Sequence, residues 1–190
     1  MRKRAREIIA YAAVAALIII IVAGAWVYAK NPEIFDEFVR KYGYLGVFLA
    51  VFVTNVSLFI GIPTPTYIFL AVAMGLHPVA VTLVAAFASA LGESTGYLLG
   101  VGSRKAIERK YGHILQQWKY NFHKHAFLTI TVIAALPFPP DDLAGIIAGS
   151  LGYDYKKFLA ATFLGKTIKY GATAVLTVTG IKIINTVFYD

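Results

Sequence analysis

The chain has 190 residues, of which 58% are hydrophobic and 15% charged, where a soluble domain carries about 25% charged residues. With a mean hydropathy of +0.67 and recurrent long apolar runs, this excludes an ordinary soluble protein and predicts an all-α integral membrane protein. The formal charge of +8 is not read as nucleic-acid binding, because the basic residues flank apolar segments and suit anionic headgroups and topology control.

Residues 1–30 open with MRKRAR and continue as an apolar run from Ile8 to Tyr28. Ala23-Gly24-Ala25 resembles a signal-peptide cleavage site. The run is nevertheless long enough to cross a hydrocarbon core of about 30 Å, with Trp26 and Tyr28 at the far interface. The expectation is a retained N-terminal transmembrane helix with a cytoplasmic N-terminus. Residues 31–43 are charge-balanced and amphipathic, the pattern of a helix lying on the membrane surface.

Residues 44–190 form the predicted membrane domain. The run 44–77 is too long for one helix and is interrupted by Pro63 and Pro65, which remove backbone donors and clash with the preceding turn. It is read as two half-length helices forming a re-entrant hairpin, tolerated at membrane depth when buried in protein or lining a cavity. A full span follows at 79–101 and carries Glu93. Residues 102–125 hold Arg104, Lys105, Arg109, Lys110, Lys119 and Lys124 and are expected as a basic cytoplasmic loop. A second broken run, 126–152, has its tip at Pro137, Pro139 and Pro140. The last span, 155–188, carries Lys166 and Lys169. Prolines rather than charge argue for the hairpins, since two full crossings would leave the basic loop on the same side.

An offset of 74 residues places Pro63-Thr64-Pro65 over Pro137-Phe138-Pro139 and Gly75 over Gly149. One residue of gap then places Leu91-Gly92-Glu93 over Leu164-Gly165-Lys166 and Tyr97 over Tyr170. With the hairpins entering from opposite sides, this is an inverted repeat of re-entrant hairpin plus transmembrane helix, an architecture of secondary transporters. Glu93 and Lys166 are equivalent in the repeat and are expected to pair across its axis.

Charges inside a bilayer are costly and mark pairs or polar paths. Glu93, Asp141 and Asp142 face Lys166 and Lys169, which leaves one carboxylate in excess, a proton site in a transport cycle. Asp141 has a structural alternative, capping the second half-helix. Gly92, Gly96 and Gly100 make a small-residue stripe read as helix packing. His123 and His125 lack the spacing and acidic neighbours of a metal site, and no cysteine is present. No nucleophile elbow, phosphate loop or zinc-protease motif occurs, so neither a cofactor nor an enzymatic activity is expected.

The Pro-x-Pro tip before AVAMG, LGESTGYLLG ahead of a basic stretch, ALPFPPDDLAGIIAG, the spacing Gly149-x3-Tyr153-x4-Phe158 and FLGK together resemble the DedA family, also called the VTT or SNARE-associated Golgi protein family, over about residues 40–185. The resemblance implies two facing re-entrant hairpins and movement of lipids between leaflets, with polyprenyl phosphates or phospholipids as substrates and protons as the coupling ion. The sequence departs from the bacterial pattern in two places. The first tip, GIPTPTYIF, lacks acidic residues, and Ala134 and Pro140 stand where arginines are expected. Phosphate binding by an arginine pair is therefore not carried over. The reading is a multi-pass cell-membrane lipid transporter, with membrane lipids as partners and homo-oligomers allowed. A small-solute transporter or channel and a non-transporting scaffold are the alternatives.

Overall fold

The computed structural model describes residues 33–56, 64–136 and 141–189, all of them helical or in short connections, with no strand among them. The expected N-terminal transmembrane helix lies outside the described residues, as do Pro63, Pro137, Pro139 and Pro140. Seven helices are described: α1 (Glu33–Tyr42), α2 (Tyr44–Val56), α3 (Thr64–Ala73), α4 (Pro78–Gly92), α5 (Ser94–Ala135), α6 (Asp141–Leu151) and α7 (Tyr155–Tyr189). At a rise of about 1.5 Å per residue, α2 and α3 each reach only about half the thickness of a hydrocarbon core.

Local chemistry explains the helix ends. Pro65 sits in the first turn of α3, where its missing donor is not needed. Leu136, which precedes Pro137, is extended at φ −84° and ψ 153°, the conformation a following proline imposes. The half-helices α3 and α6 terminate alike. Gly75 (φ +91°) and Gly152 (φ +70°) adopt the left-handed conformation, and the next residue donates back to the helix, Leu76 to the Ala71 carbonyl at 3.1 Å and Tyr153 to the Ala148 carbonyl at 2.9 Å. The terminating glycine of the second half is thus Gly152, not Gly149 as the sequence alignment proposed.

The span containing Glu93 has a one-residue turn at that position, between α4 and α5, but Glu93 keeps right-handed helical angles (φ −66°, ψ −10°) and the Tyr97 amide still donates to its carbonyl at 3.3 Å, so Pro78–Lys105 runs on as one apolar stretch. One further expectation is corrected. The basic stretch 102–125, expected as a loop, is helical and continuous in conformation with α5 on both sides. It contains no proline and is rich in Lys, Arg, Gln and Glu, all good helix formers. The helical run cannot be straight. Gly165 abuts the Thr131 backbone and its neighbour Lys166 pairs with Glu93, whereas a straight helix would separate Ser94 from Thr131 by about 55 Å. Residues up to Arg104 pack on α6, and those from Ala126 pack on α7, so the chain doubles back between Arg104 and Ala126.

The contacts have a reciprocal pattern. α2 packs along α4, while the 126–135 end of α5 packs along α7; α3 packs on α7, while α6 packs on the 94–104 end of α5. α7 therefore touches both halves. Glycines set the closest approaches. A Cβ at Gly92 would lie 2.7 Å from the Asn55 Cβ. One at Gly149 would run into the Tyr97 carbonyl, and one at Gly165 would meet the Ala134 Cβ at 2.7 Å. The stripe Gly92, Gly96 and Gly100 is divided between partners: Gly92 meets α2, and Gly96 and Gly100 meet α6.

The surface is apolar where a soluble protein would be polar. Val79, Leu83 and Phe87 expose one face of α4, and Leu128 (65%), Val175 (65%) and Leu176 (73%) stand out from α5 and α7. The interior holds small and polar residues, among them Ala85, Ala88, Ala161, Ser89, Glu93, Thr162 and Lys166. The stretch Pro78–Lys105, 28 residues, is long and apolar enough to cross a membrane. The apolar helices Tyr44–Val56, Thr64–Ala73 and Lys124–Ala135 are shorter.

Candidate functional site

Glu93 lies at the α4–α5 turn and Lys166 lies inside α7, each 3% exposed. Their Oε1 and Nζ atoms are 2.5 Å apart. The lysine also stands 5.8 Å from the centre of the Tyr170 ring, one turn further along α7. Opposite charges brought out of water are tolerated when they neutralise each other and find hydrogen bonds, and here the pair joins the middles of the two halves.

A chain of neutral polar groups extends from the pair toward the end of α2 and the start of α3. The Tyr170 hydroxyl donates to Ser89 Oγ at 3.0 Å, and Ser89 Oγ donates to Asn55 Oδ1 at 2.8 Å. Asn55 Nδ2 donates to the Val51 carbonyl at 2.7 Å and reaches Thr64 Oγ1 at 3.3 Å. Beside it, Thr95 Oγ1 donates to the Val56 carbonyl at 3.2 Å. Thr54 Oγ1 lies 3.3 Å from the Tyr67 hydroxyl. Apart from the Asn55–Val51 bond inside α2, every link joins different helices, so the end of α2, the start of α3, α4, α5 and α7 are held in one register.

On the opposite side of the pair, aromatic groups take over. Tyr97 stacks on Phe158 at 5.1 Å between ring centres and leans on Tyr155 at 5.3 Å. Its hydroxyl donates to the Tyr153 carbonyl at 2.6 Å, and Ser94 Oγ and the Tyr155 hydroxyl share a hydrogen bond of 2.9 Å. Asp154 Oδ1 accepts the Lys157 amide at 2.9 Å and so caps the start of α7.

The structure thus brings Glu93 and Lys166 into contact. Lys169, three residues on, is half-buried. Asp141 and Asp142 occupy the first turn of α6, with side chains outside the described residues. Pro65 is at the start of α3. Among the described residues there is no cluster of metal ligands. Sequence reasoning missed Ser89, Asn55 and Thr64. The signal was present in the four-residue spacing of Ser89, Glu93 and Tyr97 and of Thr162, Lys166 and Tyr170, which puts each set on one helix face.

An all-helical fold with an apolar exterior, a span-length apolar stretch and a buried ion pair is that of a membrane protein. Its kind is given by comparison with known families: the VTT domain matches residues 62–179, well over half of the chain, and the protein belongs to the VTT-domain family. The matched segment contains Glu93, Lys166 and the chain's proline-flanked acids. The protein is similar to the uncharacterized protein MJ0201 of Methanocaldococcus jannaschii, at 25% identity over 154 residues, which is 74% of this chain and 90% of that protein. It is also similar to the vacuole membrane protein KMS1 of Arabidopsis thaliana, at 38% identity over 55 residues; these are 28% of this chain and 13% of the plant protein. No solved structure matches.

Proposed function

We propose that the protein moves a lipid between the leaflets of the cell membrane, as a flippase or scramblase rather than an enzyme, with the N-terminus cytoplasmic. The observation that carries this reading is the Glu93–Lys166 ion pair, buried where the two halves meet and continued by the Tyr170–Ser89–Asn55–Thr64 chain. A pair of charges in an apolar protein adds little net stability, and intramembrane charges mark translocation paths. The reciprocal packing of α2 with α4 and of the 126–135 end of α5 with α7 supports an inverted repeat, with 44–77 and 126–152 as re-entrant hairpins. The polar interior gives a headgroup a route while the acyl chains stay outside against Leu83, Phe87 and Leu176. The surplus of carboxylates over lysines among Glu93, Asp141, Asp142, Lys166 and Lys169 favours protons as the coupling ion.

The test is reconstitution into liposomes carrying headgroup-labelled phospholipid or polyprenyl phosphate, with exchange between leaflets followed by a membrane-impermeant quencher. Wild-type protein is expected to accelerate exchange, with a dependence on pH that Asp142→Asn alters. Proton-dependent uptake of a small solute without lipid exchange establishes the transporter or channel alternative instead. Neither activity, in protein that is folded, leaves a scaffold.

A further inference from the structure

Three pairs of residues follow one antiparallel register between the α4–α5 segment and α7. Ser89 meets Tyr170 and Glu93 meets Lys166, and the same step of four residues along each helix matches Tyr97 to Thr162. The first two pairs are joined, by a hydrogen bond and an ion pair. The third is not. Tyr97 instead donates to the Tyr153 carbonyl at 2.6 Å, and Thr162 Oγ1, in a residue 1% exposed, has no hydrogen-bond partner among the described residues.

The orphaned hydroxyl is unusual for this chain. Thr54, Thr82, Thr131, Thr167, Thr173 and Thr177 each bond the carbonyl four residues before them. That bond is the default for a threonine in an apolar helix, and Thr162 does not make it. A buried polar group without a partner is costly and calls for a physical explanation. The offset of 73 residues that relates Glu93 to Lys166 also relates Ser89 to Thr162 and Tyr97 to Tyr170. Exchanging the two halves therefore converts the Tyr170–Ser89 hydrogen bond into a Tyr97–Thr162 hydrogen bond.

We infer that the protein has a second conformation in which Tyr97 donates to Thr162 and Tyr170 releases Ser89, with the Glu93–Lys166 pair as the pivot. The Tyr97 ring stacks on Phe158, one helical turn from Thr162, while its hydroxyl sits on the Tyr153 carbonyl, so the ring shifts about 5 Å along α7 and the hydroxyl swings through a longer arc, past more than two turns. One-turn displacements of a side chain along a packed helix are a known form of two-state switching. In the observed conformation the hydrogen bond ties α7 to α4 on the Ser89 side of the ion pair; in the second it ties α7 to α5 on the Tyr97 side. The switch deepens the transport reading and rests on it for its purpose, since it supplies two alternately bonded states.

The experiment places a fluorinated tyrosine at position 97 and records fluorine NMR spectra of the full chain in phospholipid nanodiscs. Two resonances are expected, and the minor one grows about fivefold in Ser89→Ala and in Tyr170→Phe, each of which removes one hydrogen bond from the observed state. Thr162→Val, which keeps the shape and removes the hydroxyl, abolishes the minor resonance. A single resonance in every variant, or a minor resonance that survives Thr162→Val, overturns the switch. Leaflet exchange measured on the same variants separates the two ideas: two resonances without lipid movement retain the switch and remove the transport reading, and lipid movement with one resonance does the reverse.

Discussion

Lys166→Met is the most informative single change. It removes the ammonium that lies 2.5 Å from Glu93 while nearly preserving volume, and leaves a carboxylate that is 3% exposed without its counter-ion. Breaking a buried pair by removing one partner costs about 3–5 kcal/mol, a large share of a total stability of about 5–15 kcal/mol. Removing both charges in Glu93→Gln/Lys166→Met leaves no buried net charge, and its stability is expected within about 2 kcal/mol of wild type. The double variant should therefore be more stable than Lys166→Met alone, a non-additivity that a double-mutant cycle reads directly. Unfolding by graded denaturing detergent in micelles, followed by circular dichroism, gives the four stabilities. If Lys166→Met unfolds with wild type, or if the two single losses simply add in the double variant, the pair is not the coupled buried unit described above. The double variant should also have lost lipid exchange while remaining folded, which separates the pair's role in transport from its role in folding.

Three further outcomes follow from packing and capping. Gly149→Ala puts a methyl group against the Tyr97 carbonyl and 2.9 Å from the Val101 amide nitrogen; it should force α6 off α5 and lower the thermal midpoint sharply. Gly102→Ala, with nothing within 4 Å of the added carbon, should instead stabilise the helix by about 0.5–1 kcal/mol. Asp154→Ala removes the carboxylate that accepts the Lys157 amide and should cost about 0.5–2 kcal/mol, with Asp154→Asn or Asp154→Ser retaining most of the stability in the same unfolding measurement.

The features legible in the sequence were those with a large local cost. Proline disfavours a helix interior, so Pro63, Pro65, Pro137, Pro139 and Pro140 marked the two apolar runs as interrupted from sequence alone, and the described helices resume at Thr64 and Asp141. Glu93 and Lys166 were readable because a charge in an apolar run demands a partner and each half supplied one at an equivalent place. Ser89, Asn55 and Thr64 were not picked out, since neutral polar side chains cost too little in a membrane helix to stand out, and their partners are decided by tertiary packing. The helicity of 102–125 was missed because a charge-rich stretch carries no apolar periodicity, only favourable helix propensity. Gly149 and Gly152 look alike in sequence, yet one is required by a close backbone approach and the other by a positive φ.

The position of α7 bears on how the chain is made. Ser89 and Glu93 take their partners from Tyr170 and Lys166, which leave the ribosome after more than seventy further residues. At about 5–20 residues per second, that carboxylate waits roughly 4–15 s without its counter-ion. The first half is thus an unfinished structure until the last helix arrives, and it must be held near the lipid headgroups or by an insertion chaperone in the interval. A nascent chain stalled before Tyr155 would present Glu93 without the lysine it pairs with and Ser89 without the Tyr170 hydroxyl.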